Sequence, residues 1–302
     1  MIQQAEVNVI IVSFNAEKYI EQAIESVVNQ KTNFLFTINV YDDCSTDNTI
    51  DIITNYTKEY SHLYLQTSKL NIGTFANLQK AVNECNAQFV ALLEGDDYWE
   101  DENKLQEQVD FLKANRKYSG CAANSLVYNQ SNASFADLYN NHLKTEYTLA
   151  ELFSIPPFQI GTLVYRHAFL PTIPDEFKNT ISNDKVVYTL LAKHGTIFCI
   201  NKPMAVYRKH DISISNSEKA DIIYAKHQLL YSIMKKQFAS NYHKFIDEAL
   251  YDHLKGYMIT LITHKVPLKF LFLNFFYQWL MLKKWLTLNE YKELYYFSRK
   301  IF

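Results

Sequence analysis

The sequence predicts an α/β fold, a mainly parallel sheet flanked by helices, with a helical C-terminal extension. Three observations lead there. Short β-rich runs alternate with runs of helical period through the first hundred residues, the polar clusters of that stretch fall where strands end, and from Ser217 onward the pattern is helical. The chain of 302 residues is 48% hydrophobic and 21% charged, with 6 Gly and 6 Pro, so it can bury a large core and has no low-complexity linkers.

Residues 7–14 form the first β-rich run, and 17–30 place Ile20, Ala23, Ile24, Val27 and Val28 at helical spacing. Residues 35–41 alternate as a strand. Residues 47–60 then repeat Ile50, Ile53 and Tyr56 as a helix that opens behind acidic and hydroxyl residues. A strand at 63–66, a helix at 74–84, a strand at 89–93 and a helix starting near Asp101 complete the alternation. The middle is less regular, with strand-like runs at 120–128, 158–165, 196–200 and 204–207 and a helix at 184–193. The expected division is one domain over 1–216 and a helical extension over 217–302, where Pro267 suits the first turn of a new helix.

A formal net charge of −2 excludes the basic surface that general nucleic-acid binding needs. Cys44, Cys85, Cys121 and Cys199 lie far apart without CxxC spacing, which reads as reduced thiols and fits a cytosolic compartment. The N-terminus lacks the basic start and cleavage site of a signal peptide, so the sequons at Asn55, Asn129 and Asn132 read as chance. Residues 256–302 hold seven Lys or Arg and two Glu, with aromatic residues interleaved. The longest uncharged stretch there, 270–282, has 13 residues, short of the roughly 20 that span a bilayer. Two readings stand open for 265–302: peripheral contact with the inner face of a cell membrane, or packing on the catalytic domain or another subunit.

In open α/β sheets, ligands bind outside the carboxyl ends of the strands. Ser13-Phe14-Asn15, Asp42-Asp43-Cys44-Ser45 and Glu94-Gly95-Asp96-Asp97 all fall at such ends and should converge on one crevice. The adjacent carboxylates Asp96 and Asp97 suit a hard divalent cation, Mg²⁺ or Mn²⁺, or else an acidic turn ahead of the next helix. The stretch "DDCSTDNT" at 42–49 lacks the Gly and Glu of a calcium loop. There Ser45, Thr46 or Asp47 would cap the following helix and leave Asp43 for a ligand. Asp184 opens a helix, where the dipole favours an acid, and Arg208 with His210 suits phosphate or a metal, or simple packing. No G-x-G-x-x-G turn follows the first strand, which argues against a dinucleotide-dependent oxidoreductase.

Taken in order, Ser13-Phe14-Asn15, Asp42-Asp43-x-Ser45-x-Asp47-x-Thr49, Asn71-x-Gly73-x-x-x-Asn77 and Glu94-Gly95-Asp96-Asp97-Tyr98-Trp99 resemble the signatures of glycosyltransferase family 2. The resemblance covers about 7–115 and continues more loosely through Asp184 and Tyr207-Arg208-x-His210 to about 216. It implies a GT-A fold, with a nucleotide-binding half over about 1–117 and an acceptor half over about 118–216. It also implies inverting transfer of a sugar from a nucleotide-sugar donor, a UDP-sugar by resemblance, to a glycan or lipid-linked acceptor in surface polysaccharide or glycolipid synthesis.

Residue by residue, the resemblance puts Phe14 near the nucleobase, between Ser13 and Asn15, and Asp43 on it beside Asp42, with Asn71 and Gly73 also on the nucleotide side. Asp96 and Asp97 would divide the ribose and a divalent Mn²⁺ or Mg²⁺ between them, Asp184 would be the catalytic base, and Arg208 with His210 would contact diphosphate or metal. Two positions depart from the pattern: Glu94 stands where many members carry Asp, and "NTISN" before Asp184 lacks the usual Glu or Gly. The alternative is a catalytically silent nucleotide-sugar-binding homologue, against which the joint presence of Asp43, Asp96, Asp97, Asp184 and Arg208 argues. The chemistry agrees with the carried-over roles, because a departing diphosphate needs a cation and the acceptor hydroxyl needs a base on the opposite face of the sugar.

Overall fold

A computed structural model describes residues 5–154, 156–210 and 220–263 of the chain. The alternation of the first hundred residues produces β1 (Val7–Ser13), α1 (Ile20–Val28), β2 (Phe36–Asp42), α2 (Thr49–Glu59), β3 (Leu63–Thr67), α3 (Thr74–Asn83) and β4 (Phe89–Glu94). β1 lies between β2 and β4, parallel to both, and six of its seven residues are buried. That position explains why it reads as a nearly continuous apolar run instead of an alternating one. Register then sets the site: Ser13 faces Asp42 across one ladder and Val12 faces Glu94 across the other. The polar clusters therefore lie side by side at one edge of the sheet, as expected.

The rest of the sheet comes from β5 (Tyr98–Trp99), α4 (Lys104–Ala114), β6 (Gly120–Asn129), β7 (Ser134–Leu138), β8 (Glu146–Tyr147), α5 (Leu149–Leu152), β9 (Val164–Arg166), α6 (Asn183–Ala192) and β10 (Ile197–Lys209). The strand order is β3-β2-β1-β4-β9-β6-β10-β5, with β7 on β6 and β8 on β10. β9 runs antiparallel to both β4 and β6, so β6 and its parallel partner β10 point the same way as β1 to β4. The sheet is thus mainly parallel.

Two expectations for the middle change. The runs at 196–200 and 204–207 are one strand, β10, whose register against β6 shifts on both sides of Pro203, a residue that cannot donate to the ladder. The run at 158–165 is a 3₁₀ turn at Ile160–Thr162 followed by the short β9. Because β10 continues unbroken to Lys209, it carries Arg208 to the same edge of the sheet as the end of β4.

The sheet and α1 to α6 make one compact unit, and α7 (Ala220–Gln237) and α8 (His243–Thr263) belong to a second. Within the second unit the two helices stack His227 on His253 at 3.7 Å and Tyr224 on Tyr257 at 4.7 Å between ring centroids. Among the described residues no helix is long and apolar enough to cross a membrane. The readings made for 265–302, including Pro267, lie outside the described residues.

A buried polar network stands behind the β4–β5 turn. Lys104 is fully buried, with Nζ 4.1 Å from the centre of the Trp99 ring and donating to Gln108 Oε1 at 2.8 Å. Gln108 Nε2 donates in turn to the carbonyls of Cys121 (2.8 Å) and Thr162 (2.9 Å), and Trp99 Nε1 to Gly161 O (2.7 Å). Burial pulls the Lys104 ammonium down to about 7, whereas a lysine in the unfolded chain titrates near 10.4. Between those values the unfolded chain holds a proton that the native state has released, so stability rises with pH. Denaturant unfolding at pH 7, 8 and 9 should show this rise, up to about 1.4 kcal/mol per pH unit from this one group. Lys104→Met should flatten it and be the more stable protein at pH 7; an unchanged slope would exclude Lys104 as its source.

Candidate functional site

The loop after β1 is latched to the loop after β2. Asp42, fully buried, accepts from the Ser13 hydroxyl (3.3 Å), the Ser45 hydroxyl (2.5 Å) and the Ser45 N–H (2.8 Å). Ser45 Oγ accepts from Asn15 N (2.8 Å), and Asn15 Oδ1 accepts from Thr46 N (2.8 Å). Thr49 Oγ1 accepts from Ala16 N (2.8 Å) and donates to Asp47 (2.5 Å). The latch needs left-handed backbone at Asn15 (φ 47°) and Cys44 (φ 64°); Asn is among the few side chains that tolerate that region. Of the three residues expected to cap α2, only Asp47 turns toward its start, accepting from Thr49 N at 3.1 Å. Ser45 and Thr46 bind across the loops instead.

Asp43 is 2% exposed and holds a third loop. Its Oδ1 accepts from Ile72 N (2.7 Å) and its Oδ2 from Gly73 N (2.8 Å), while its own N–H donates to Ser13 O (2.9 Å). Gly73 sits at φ 86°, where a side chain would strain the backbone, and Asn71 Oδ1 also accepts from its N–H (3.1 Å). Phe14 stands at the same edge with 41% of its surface open. Ser13, Asn15, Asp43, Asn71 and Gly73 therefore form one hydrogen-bonded rim beside an exposed aromatic ring.

The second cluster hangs on the ends of β4 and β10. Asp97, buried, accepts the Arg208 N–H at 2.8 Å on Oδ1. Arg208, expected on a diphosphate, commits its guanidinium internally: Nε donates to Asp96 O (2.8 Å), Nη2 to Gln22 Oε1 (2.7 Å) and Nη1 to Gln130 Oε1 (3.3 Å). Its charge lies among the rings of Tyr19, Tyr98 and Tyr128, 4.9, 5.3 and 5.7 Å from their centres. The Asp96 carboxylate is the open member, 39% exposed, and its Oδ2 lies 3.0 Å from His210 Nε2. Tyr19 stacks on that imidazole at 5.1 Å.

Four carboxylates share this place. Burial, with Asp96 and Asp184 nearby, pushes Glu94 up to about 8. Burial, then Asp96 and Glu94, holds Asp97 well above the carboxylate range, against the opposing pull of Arg208. Asp184, whose Oδ1 accepts from Lys185 N at 2.8 Å, is raised chiefly by burial, and it adds to the raising of Glu94. Concentrated negative charge of this kind is relieved by a cation.

Tyr139 and Tyr207, edge to face at 6.1 Å, face the same charges: burial raises each to about 12, with help from Asp184 and Glu94, and for Tyr207 also from Asp97 and Asp96. Tyr139, and Gln22 and Gln130 around Arg208, escaped sequence reasoning, whereas Tyr207 stood in the Tyr207-Arg208-x-His210 stretch without a role of its own.

Among the described residues no three His, Cys, Asp or Glu side chains converge as a ready-made metal cage. A Mg²⁺ or Mn²⁺ site built from one or two carboxylates and substrate oxygens does not need one, and the open Asp96 beside His210 fits that chemistry.

Comparison with known proteins agrees with this geometry. Residues 8–170 match the family described as Glycosyl transferase family 2. An uncharacterized protein of Mycobacterium tuberculosis is 29% identical over 215 residues, 71% of this chain and 62% of that protein, so the chain spans less than two thirds of that relative. A putative teichuronic acid biosynthesis glycosyltransferase of Bacillus subtilis is 36% identical over 106 residues, 35% of this chain and 41% of that one. Two solved structures share the fold. S. aureus TarS in complex with UDP-GlcNAc aligns with a TM-score of 0.67 at 20% identity, covering 87% of this chain and 77% of that one. A mannosyltransferase of Pyrobaculum calidifontis in complex with GDP-Man and Mn²⁺ aligns with a TM-score of 0.56 at 15% identity, covering 86% and 76%. With more than half of its residues in the family match and the matched strand ends carrying the clustered carboxylates, the chain belongs to glycosyltransferase family 2.

Proposed function

We propose that this chain is an inverting, metal-dependent glycosyltransferase that moves a sugar from a UDP-sugar donor to a glycan or lipid-linked glycan acceptor in bacterial surface polysaccharide or glycolipid synthesis. The carrying observation is the open Asp96 beside His210 at the end of β4, with the buried Asp97 next to it on the backbone of β10 and with Glu94 raised by Asp96 and Asp184. The complexes of the TarS structures with UDP and UDP-GlcNAc support a UDP-sugar, and the described role of the Bacillus relative supports a surface polymer. The work is cytoplasmic, with 265–302 holding the enzyme peripherally against the inner face of the cell membrane.

In this reading the nucleobase lies by Phe14 and the rim of Ser13, Asn15, Asn71 and Gly73 that Asp43 holds together. Asp96, Asp97 and His210 are the residues that would hold Mn²⁺ or Mg²⁺, with Asp96 also near the ribose. A divalent cation there neutralises charge developing on the leaving diphosphate. Arg208 keeps Asp96 and Asp97 in place and adds a positive charge behind them. Asp184 takes the proton of the acceptor hydroxyl as its oxygen bonds to the anomeric carbon and the bond to diphosphate breaks. A base raised by burial above an ordinary aspartate is better matched to that transfer near neutral pH.

A thermal-shift screen of UDP, GDP and their sugars with and without Mn²⁺ tests the donor reading. UDP or a UDP-sugar with Mn²⁺ should stabilise the protein by about 2.7 kcal/mol at a hundredfold excess over Kd. No metal-enhanced shift with any nucleotide would refute it. Asp184→Asn should keep that shift and lose turnover, and Asp97→Asn should lose the metal-dependent part of the shift. Turnover by Asp184→Asn at the parent rate would show that the base is another residue.

A further inference from the structure

Helix α3 does more than cover the sheet. Its start is fixed to the carboxyl end of β2, through Asp43 to Ile72 and Gly73 and through Asn77 Nδ2, which donates to Tyr41 O at 2.8 Å. Further along, Gln79 is 8% exposed, and both hydrogens of its amide go to the chain that leads into α6. Nε2 donates to Ile173 O (2.7 Å) and to Asp175 Oδ1 (2.7 Å). One turn on, Asn83 Oδ1 accepts from Ile173 N (3.4 Å). At the other end of the same stretch Asn183 Nδ2 donates to Thr74 Oγ1 (3.3 Å), and Asp184 follows directly. Residues 173 and 183 are thus both fastened to α3, one at each end of the helix.

Between these fastenings the backbone makes local bonds, such as Phe177 N to Pro174 O (3.2 Å) and Lys178 N to Asp175 O (3.0 Å), and no strand pairing. The body of α6 is packed, with Val186, Val187 and Leu191 fully buried, but its first residues follow Ser182 in left-handed backbone (φ 62°). Asp184 thus stands where this stretch joins the packed body of α6, and a general base displaced by about 1 Å can lose about a hundredfold in rate.

We propose that Gln79 is a positioning residue for the transfer step: by holding Ile173 and Asp175 it fixes the approach to α6 on α3, and with it the place of the Asp184 carboxylate. The proposal rests on Asp184 being the base. It assigns to α3 a link between the nucleotide rim, where the helix begins, and the acceptor side, where it carries the base.

Gln79→Met keeps the volume and removes both donors. In the full chain with Mn²⁺ and UDP-GlcNAc, with water taking the sugar as acceptor, UDP release should slow about ten- to a hundredfold, while KM for the donor and the Kd for UDP stay within about twofold of the parent. Amide exchange should accelerate at residues 173–186 and stay unchanged in β1 to β4. Gln79→Glu should be worse still, because it sets a carboxylate against Asp175, and adding Asp175→Asn should restore part of the loss by returning a donor. The role is overturned by parent-like exchange at 173–186 in Gln79→Met. It is equally overturned by parent-like UDP release, by a loss of release matched by an equal loss of UDP affinity, or by a double variant no better than Gln79→Glu. Asp184→Asn in the same assay separates the two readings: parent-like release there removes the base, whereas an inactive Asp184→Asn beside a fully active Gln79→Met removes only the positioning role.

Discussion

The contact between Arg208 and the turn after β4 is the one on which the site depends. Asp97 is buried next to Asp96 and Glu94, and an isolated carboxylate in that position would be too costly to keep. The Arg208 N–H on Oδ1 and the guanidinium behind it make the turn tenable. Arg208 itself is nearly buried, and its charge is balanced by carbonyl and amide oxygens and by three tyrosine rings, contacts each worth about 0.5–2 kcal/mol. Lysine could not replace it, since a point charge cannot serve Asp96 O, Gln22 and Gln130 from one planar fork. One residue on β10 thereby joins the end of that strand to β4 and to α1.

A second constraint explains why so few of the polar residues at the strand ends are open to a ligand. Asp42, Ser45, Thr46, Asp47 and Thr49 serve the latch between two loops, and Asp43 serves the loop before α3. The acidic and hydroxyl-rich stretch "DDCSTDNT" is therefore mostly scaffold. It gives a rigid rim, beside which Phe14 presents an open ring, and preorganisation of that kind lowers the entropy cost of holding any ligand there.

Much of the first hundred residues was legible in the sequence because its physics is local. Strands buried on both faces must be apolar throughout, and amphipathic helices must repeat with their own period, so β1 to β4 and α1 to α3 stand out. The second half was less legible for physical reasons. β5 and β8 are two residues long and cannot show a period, and Pro203 hides the continuity of β10. The run at 158–165 is apolar because it is buried, and only its end is a strand. The internal hydrogen bonds of Arg208 carried no sequence signal, since its acceptor Gln22 is 186 residues away in the chain. Tyr139 carries no sequence signal at all, because only the tertiary fold sets it beside Tyr207 and Asp184.

Environment also divides the labour among the acidic residues, which sequence alone left open. Asp97 is the inner member, committed by one oxygen to the backbone of β10. Glu94 is lifted to about 8 by burial, Asp96 and Asp184, toward the protonated form, which can donate a hydrogen bond where a carboxylate cannot. Asp96 is the one whose carboxylate reaches solvent, and it does so next to an imidazole. In the proposed reading, a hard cation arriving with a diphosphate would meet Asp96 and His210 first, with Asp97 behind them. In the same reading, the charge of that cation would favour the ionised form of Glu94, against the burial that raises it.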